Sequence, residues 1–204
     1  MVEATRRSAL AEAREAGTFG ANVQRPAVTL AERRPAALLR LCAAADDRDL
    51  ADVVADTLGL ELPRVPSTTN ASDGRTLLWL APRQWLLVCD DEQAAIAEQS
   101  LQAALDKTGA TVVDVGHGYL VMSASGERAR EVLSKGVPID LDPLTFGVNA
   151  CAQTCLADMN VLLHVRDAHA IDLYAGRSYA VSLWHWLCLS AAEYGYRVRD
   201  VRAR

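Results

Sequence analysis

Two places along this chain carry residue types at spacings that could do chemistry. Asp114 and His117 lie in Val113-Asp114-Val115-Gly116-His117-Gly118-Tyr119. A carboxylate and an imidazole this close could share general acid–base work. The flanking glycines, however, place the pair at a strand-to-strand junction, where Asp and His side chains commonly bond to backbone. Cys151 and Cys155 have C-x3-C spacing. A structural zinc would need two more ligands, and none lies near in sequence. On a strand both thiols would face one side, which suits core or interface packing. His164, His169 and His185 stand apart from obvious acids or nucleophiles and read as structural or surface residues. There is no P-loop and no G-x-G-x-x-G fingerprint. There is no G-x-S-x-G elbow either. The expectation is a chain with no catalytic, cofactor-binding or metal-binding residues of its own.

The elements that must hold these residues repeat. The first half reads as a strand at Ala37–Cys42, a helix at Asp49–Leu58, a hairpin at Thr76–Cys89, a helix at Glu92–Leu105 and a strand at Ala110–Val115. The second reads as a strand at Tyr119–Ala124, a helix at Glu127–Lys135, a hairpin at Val161–Tyr174, a helix at Ser178–Tyr194 and a strand at Tyr196–Val201. That order is the split βαβ, ferredoxin-like pattern, so the fold class is α+β with two such halves, 35–116 and 117–204, in one pseudo-duplicated domain.

Local punctuation supports the reading. Asp46 or Asp47 can cap a helix whose Leu50, Val53, Val54 and Leu58 share a face. Gly59 follows at C′, with Pro63 beyond. Pro63–Gly74 reads as a loop. Leu77–Leu80 and Trp85–Val88 flank a turn in which Pro82 favours type I. Both strands are apolar on both faces, so helices should cover one side and the other half of the chain the opposite side. Asp90 with Gln93 can cap the helix from Glu92, and Ser125 the helix from Glu127. Cys151–Leu156 reads as an extra strand before the second hairpin.

Composition narrows the function classes. The chain has 204 residues, half of them hydrophobic, with net charge −5. A nucleic-acid binder would show a basic patch or stripe, and none is present. The five cysteines are odd in number and scattered in apolar runs, which suits reduced, buried thiols and a cytoplasmic location. No apolar run reaches the roughly 20 residues of a spanning helix. Residues 1–34 mix arginines with acids and hold few large apolar residues. They read as an N-terminal arm, either flexible or laid along a partner. In the last helix Val181, Trp184, Leu187, Cys188 and Ala191 form a stripe at about 100° per residue, and Trp186 and Leu189 fall off it. Trp186 and Leu189 are therefore candidates for a protein–protein contact, the alternative cover being the other half of the chain.

The ordered motifs resemble a known family. Leu77-Leu78-Trp79-Leu80-Ala81-Pro82-Arg83-Gln84-Trp85-Leu86-Leu87-Val88 is similar to the "LWLGPDEWLLV" stretch of the sarcosine oxidase gamma subunit. Val113–His117 resembles its "VDVSHR", Ser125–Leu133 its "SGPRAREVL" and Gly136–Pro143 its "GCPLDLHP". Gly116 and Gly118 depart from the pattern, as does the segment around Cys151 and Cys155. The resemblance implies the fold of the glycine-cleavage aminomethyltransferase. It implies a cytoplasmic heterotetramer of alpha, beta, gamma and delta chains that oxidises sarcosine to glycine and hydrogen peroxide. The one-carbon unit would leave as formaldehyde or as 5,10-methylenetetrahydrofolate. FAD, FMN, NAD, zinc and tetrahydrofolate would sit on the other subunits, with this chain a structural partner held mainly by alpha. The alternatives are a stand-alone folate-dependent one-carbon transferase with Asp114 as acid or base, or a subunit of a related N-methyl amine oxidase complex.

Overall fold

Alternating apolar residues sort this chain into stacked layers. The computed structural model describes residues 8–21, 23–44, 48–90, 94–106 and 108–199. In chain order the elements are β1 (Gly17–Phe19), β2 (Val28–Arg33), β3 (Ala37–Cys42), α1 (Arg48–Leu58), β4 (Thr69–Ser72), β5 (Arg75–Ala81), β6 (Gln84–Cys89) and α2 (Ala94–Leu105). Then follow β7 (Thr111–Asp114), β8 (Tyr119–Ser125), α3 (Ala129–Ser134), β9 (Cys151–Leu156), β10 (Met159–Asp167), β11 (Ala170–Gly176), α4 (Ala180–Ala191) and β12 (Tyr196–Arg199). The caps expected from Asp46, Asp47 and Gln93 lie outside the described residues.

The strands form two sheets. One runs β4-β5-β6-β3-β7, and the other β1-β12-β2-β8-β11-β10-β9. Strand β6 shows how they stack. Trp85, Leu87 and Cys89 join a core with Leu50, Val54 and Leu58 of α1 and Ala97 and Leu101 of α2. Leu86 and Val88, on the opposite face, join Leu38 and Leu78 against Val121, Leu162 and Tyr174 of the other sheet. The far face of that sheet packs on α3 and α4 through Val132, Leu133, Leu183, Trp184 and Leu187. The expectation of helices on one side and the other half on the opposite side therefore holds. Two-sided burial is also why these strands read as continuous apolar runs.

Several local expectations are corrected. The segment read as an arm is built into the second half from residue 8 onward. Leu10 is fully buried, β2 lies between β12 and β8, and β1 pairs with β12. The alternation Val28, Leu30 against Thr29, Ala31 carries this strand, but its length hides it among polar neighbours. Residues 1–7 lie outside the described part. The stretch Pro63–Gly74 contains edge strand β4, paired from Thr69 to Ser72 with β5. Arg83 takes φ of 63°. A positive φ two places into the turn excludes type I and marks type II. The helix expected from Glu127 starts at Ala129 with Arg128 at its N-cap, and Ser125 ends β8 instead. In α4 the buried face is Ala180, Leu183, Trp184, Leu187 and Ala191, while Val181 is 44% exposed. The segment before β1 fixes that face, because Trp184 Nε1 donates to Ala13 O at 3.0 Å.

Candidate functional site

Strand register gathers His164, Asp172 and Arg33 on one patch. On the face of the seven-stranded sheet that meets the five-stranded one, β10 and β11 pair His164 with Asp172 and Leu162 with Tyr174. The apolar pair lies in the inter-sheet core, and the polar pair follows it toward one end. From β2, the Arg33 guanidinium donates Nη1 to Asp172 Oδ2 and Nη2 to Asp90 Oδ2. Asp90 directly follows β6, so this one fork ties the two sheets together. Arg166 Nε lies 3.3 Å from the same Asp172 oxygen.

Burial sets the electrostatics. The Asp172 side chain is wholly inaccessible, and Arg33 and Asp90 are 18% and 34% exposed. Burial opposes the charge on Arg33, but Asp172 and Asp90 more than offset it, and its pKa is raised. Desolvation pushes His164 down to about 4, with Asp172 pulling it up and Arg33 and Arg166 pushing it further down. His164 is therefore neutral near pH 7. Burial likewise raises the Tyr174 hydroxyl, and Asp172 adds to the shift. Among the described residues, Asp172 Oδ1, His164 Nδ1 and Tyr174 Oη have no hydrogen-bond partner. The patch holds a fixed carboxylate between two guanidiniums beside a neutral imidazole. It can clamp two sheets, with the carboxylate engaged by both guanidiniums.

The residues singled out from sequence fall elsewhere. Asp114 Oδ1 accepts from the Gly116 amide at 2.7 Å, and His117 stands exposed on the turn that follows. Asp114 thus closes a local turn. Cys151 is fully buried at the inter-sheet seam, its Sγ 3.4 Å from both Thr68 O and Trp79 O. Burial pushes this thiol up to about 11, so it stays protonated. Cys155 lies on the same face of β9, partly exposed. Among the described residues no group of three or more His, Cys, Asp or Glu is placed to hold a metal. His169 is exposed in the β10–β11 turn, and His185 is exposed on α4. His164 was read as isolated from acids and is not, because its acid, Asp172, comes from the neighbouring strand. That pairing is set by hairpin register, whereas Arg33 reaches the same carboxylate from β2, a strand distant in sequence. Trp186 packs over Gly136, where a Cβ would meet Trp186 Cζ2 at 2.4 Å. Its own chain therefore covers part of it. Leu189 is 78% exposed.

At the other end of the same face the sheet is open. A cleft of about 880 Å³ is lined by Tyr119, Gln153, Cys155, Asn160, Tyr174 and Tyr179 among others. None of its lining side chains is charged. Gln153 Nε2 crosses the seam to donate to Leu80 O at 2.7 Å. No helix among the described residues is long and apolar enough to cross a membrane.

Comparison with known proteins places this architecture. Residues 42–193 match the model of the "Sarcosine oxidase, gamma subunit family". The sarcosine oxidase subunit gamma of Corynebacterium sp. (strain P-1) is 32% identical over 142 residues, 69% of each chain. A chain of the heterotetrameric sarcosine oxidase from Corynebacterium sp. U-96 superposes with a TM-score of 0.81 at 30% identity, covering 93% of this chain and 96% of that one. The aminomethyltransferase T of the glycine cleavage system from Bartonella henselae shares the fold, with a TM-score of 0.62 at 12% identity over 85% of this chain and 48% of that one. The family match spans both sheets and both helical layers, and this chain belongs to the sarcosine oxidase gamma subunit family.

Proposed function

We propose that this chain is the non-catalytic, structural subunit of a heterotetrameric sarcosine oxidase. The assembly converts sarcosine, water and oxygen to glycine, hydrogen peroxide and formaldehyde, or passes the one-carbon unit to tetrahydrofolate. FAD, FMN, NAD, zinc and the folate belong to the alpha, beta and delta chains, and alpha is the main contact. The assembly works in the cytoplasm. The reading is carried by the whole-length likeness to a chain of a heterotetrameric enzyme. It is supported by how the interior groups are used. Arg33 and Arg166 are directed at Asp172, and Arg33 also reaches Asp90 across the seam. Asp114, the acid a folate transferase reading would need, is engaged by the Gly116 amide.

The function of such a chain is to present a stiff surface. The inter-sheet clamp and the three cores fix the sheets, and exposed apolar residues such as Leu189 and Val181 offer area to a neighbour. A tagged copy recovered from its native lysate should bring down larger chains with a flavin absorbance spectrum. A colourless, solitary chain would contradict the reading.

A further inference from the structure

Strand β9 ends the seven-stranded sheet with six residues, whereas the other edge strands, β1, β4 and β7, have three, four and four. Proteins usually shorten, charge or cover such edges, because unpaired backbone groups template another strand. The sequence of β9, Cys-Ala-Gln-Thr-Cys-Leu, holds no charge and no proline. Its inner edge pairs with β10 from Cys151 to Leu156.

Among the described residues the outer edge is closed only at its start. There the Cys151 amide donates to Ser67 O at 2.9 Å, the Thr69 amide donates to Asn149 O at 2.9 Å, and Thr68 pairs with Ala150. The pairing stops at Ser67, the last residue to accept from β9. Ser67, at φ of 64°, turns the chain away. In an antiparallel ladder every second residue points both backbone groups the same way. Gln153 and Cys155 therefore face outward like Cys151, past the point where the chain's own cover ends. The uncharged cleft opens beside this stretch, with Gln153, Thr154 and Cys155 in its lining.

We propose that the open edge of β9, Gln153–Leu156, receives an extended, uncharged segment of a partner polypeptide as an added strand, with alternate side chains entering the tyrosine-lined cleft. This rests on the subunit reading above. Repeating backbone donors and acceptors are met in full only by another extended backbone, and the cleft supplies side-chain selection. The solved relative that superposes over 93% of this chain comes from a heterotetramer, so under the subunit reading the occupant is a segment of a different polypeptide of the assembly.

Residue-resolved hydrogen exchange on the full chain alone and on the co-expressed assembly tests this. In the chain alone the Gln153 and Cys155 amides should exchange fast, and in the assembly at least about tenfold more slowly. The Ala152 and Thr154 amides, bonded to β10, should be slow in both. Gln153→Pro, which removes one outward donor, should stay folded by circular dichroism and lose co-purification. Should that variant misfold, the exchange rates alone decide. Equal rates at Gln153 and Cys155 in an assembly that does co-purify would overturn the edge proposal and leave the subunit reading standing. Protection in the chain alone, growing with concentration alongside a dimer in light scattering, would overturn it in favour of a second copy. A chain that recovers no partner would overturn both.

Discussion

The two halves share one frame and differ in what has been added to it. In the first, β3, β5, β6 and β7 lie in the order β7-β3-β6-β5, with short β4 at the margin. In the second, the equivalent β8, β10, β11 and β12 keep the order β12-β8-β11-β10, but β2 is inserted between β12 and β8, and β1 and β9 extend the edges. The inserted strand comes from the N-terminal segment and carries Arg33, the cation that reaches both sheets. The difference teaches that the duplicated frame supplies the layers and the clamp's carboxylates, whereas strands outside the frame supply the cation that joins them and the open edge.

Breaking the clamp should have the largest effect. Asp172→Ala leaves Arg33 and Arg166 facing a buried void, and removing one partner of a buried pair costs about 3–5 kcal/mol. Asp90→Ala removes the half-exposed end of the same fork and should cost less than about 1 kcal/mol. Urea denaturation of both variants checks the contrast, and equal losses would mean that Asp172 is not the hub. Next, Leu30→Ala truncates a fully buried residue of the inserted strand and should cost about 2–5 kcal/mol. A near-neutral result would mean that β2 is an appendage.

Acid should act through His164. Its folded pKa is held near 4, against 6.5 when free. The unfolded chain binds the proton more readily, so stability falls as pH drops from about 6.5 toward 4, by up to about 3 kcal/mol. His164→Gln should flatten that limb, as thermal melts across this range would show, and an unchanged slope would contradict the assignment. Gly136→Ala should cost about 1–3 kcal/mol, because the new methyl pushes on Trp186. A shifted Trp fluorescence maximum should accompany it.

The frame was legible because hydrophobic period and turn residues are local. Leu50, Val54 and Leu58 bury one face of α1, and Gly59 takes the expected left-handed φ of 65°. The family resemblance, read from ordered motifs such as Leu77–Val88, matches the comparisons. What sequence reading missed depended on distant pairing. Six residues of β2 among arginines show too little periodicity to predict a strand, and Thr69–Ser72 carries loop-type residues that pair because β5 lies beside them. Asp172 and His164 are adjacent only through hairpin register. The stripe of α4 was misplaced at Val181 because Leu183 and the Ala13 carbonyl, rather than helical period alone, fix which face turns inward.

As proposed, this chain builds the oxidase without reacting in it. The most direct test is to purify the assembly from cells with and without this chain and to measure assembled flavoprotein and sarcosine-dependent peroxide formation. The account predicts that assembly fails or its yield collapses without the chain. It also predicts that Asp114→Ala and His117→Ala assemblies keep wild-type turnover per flavin. Full assembly and full activity in the absence of the chain would contradict it.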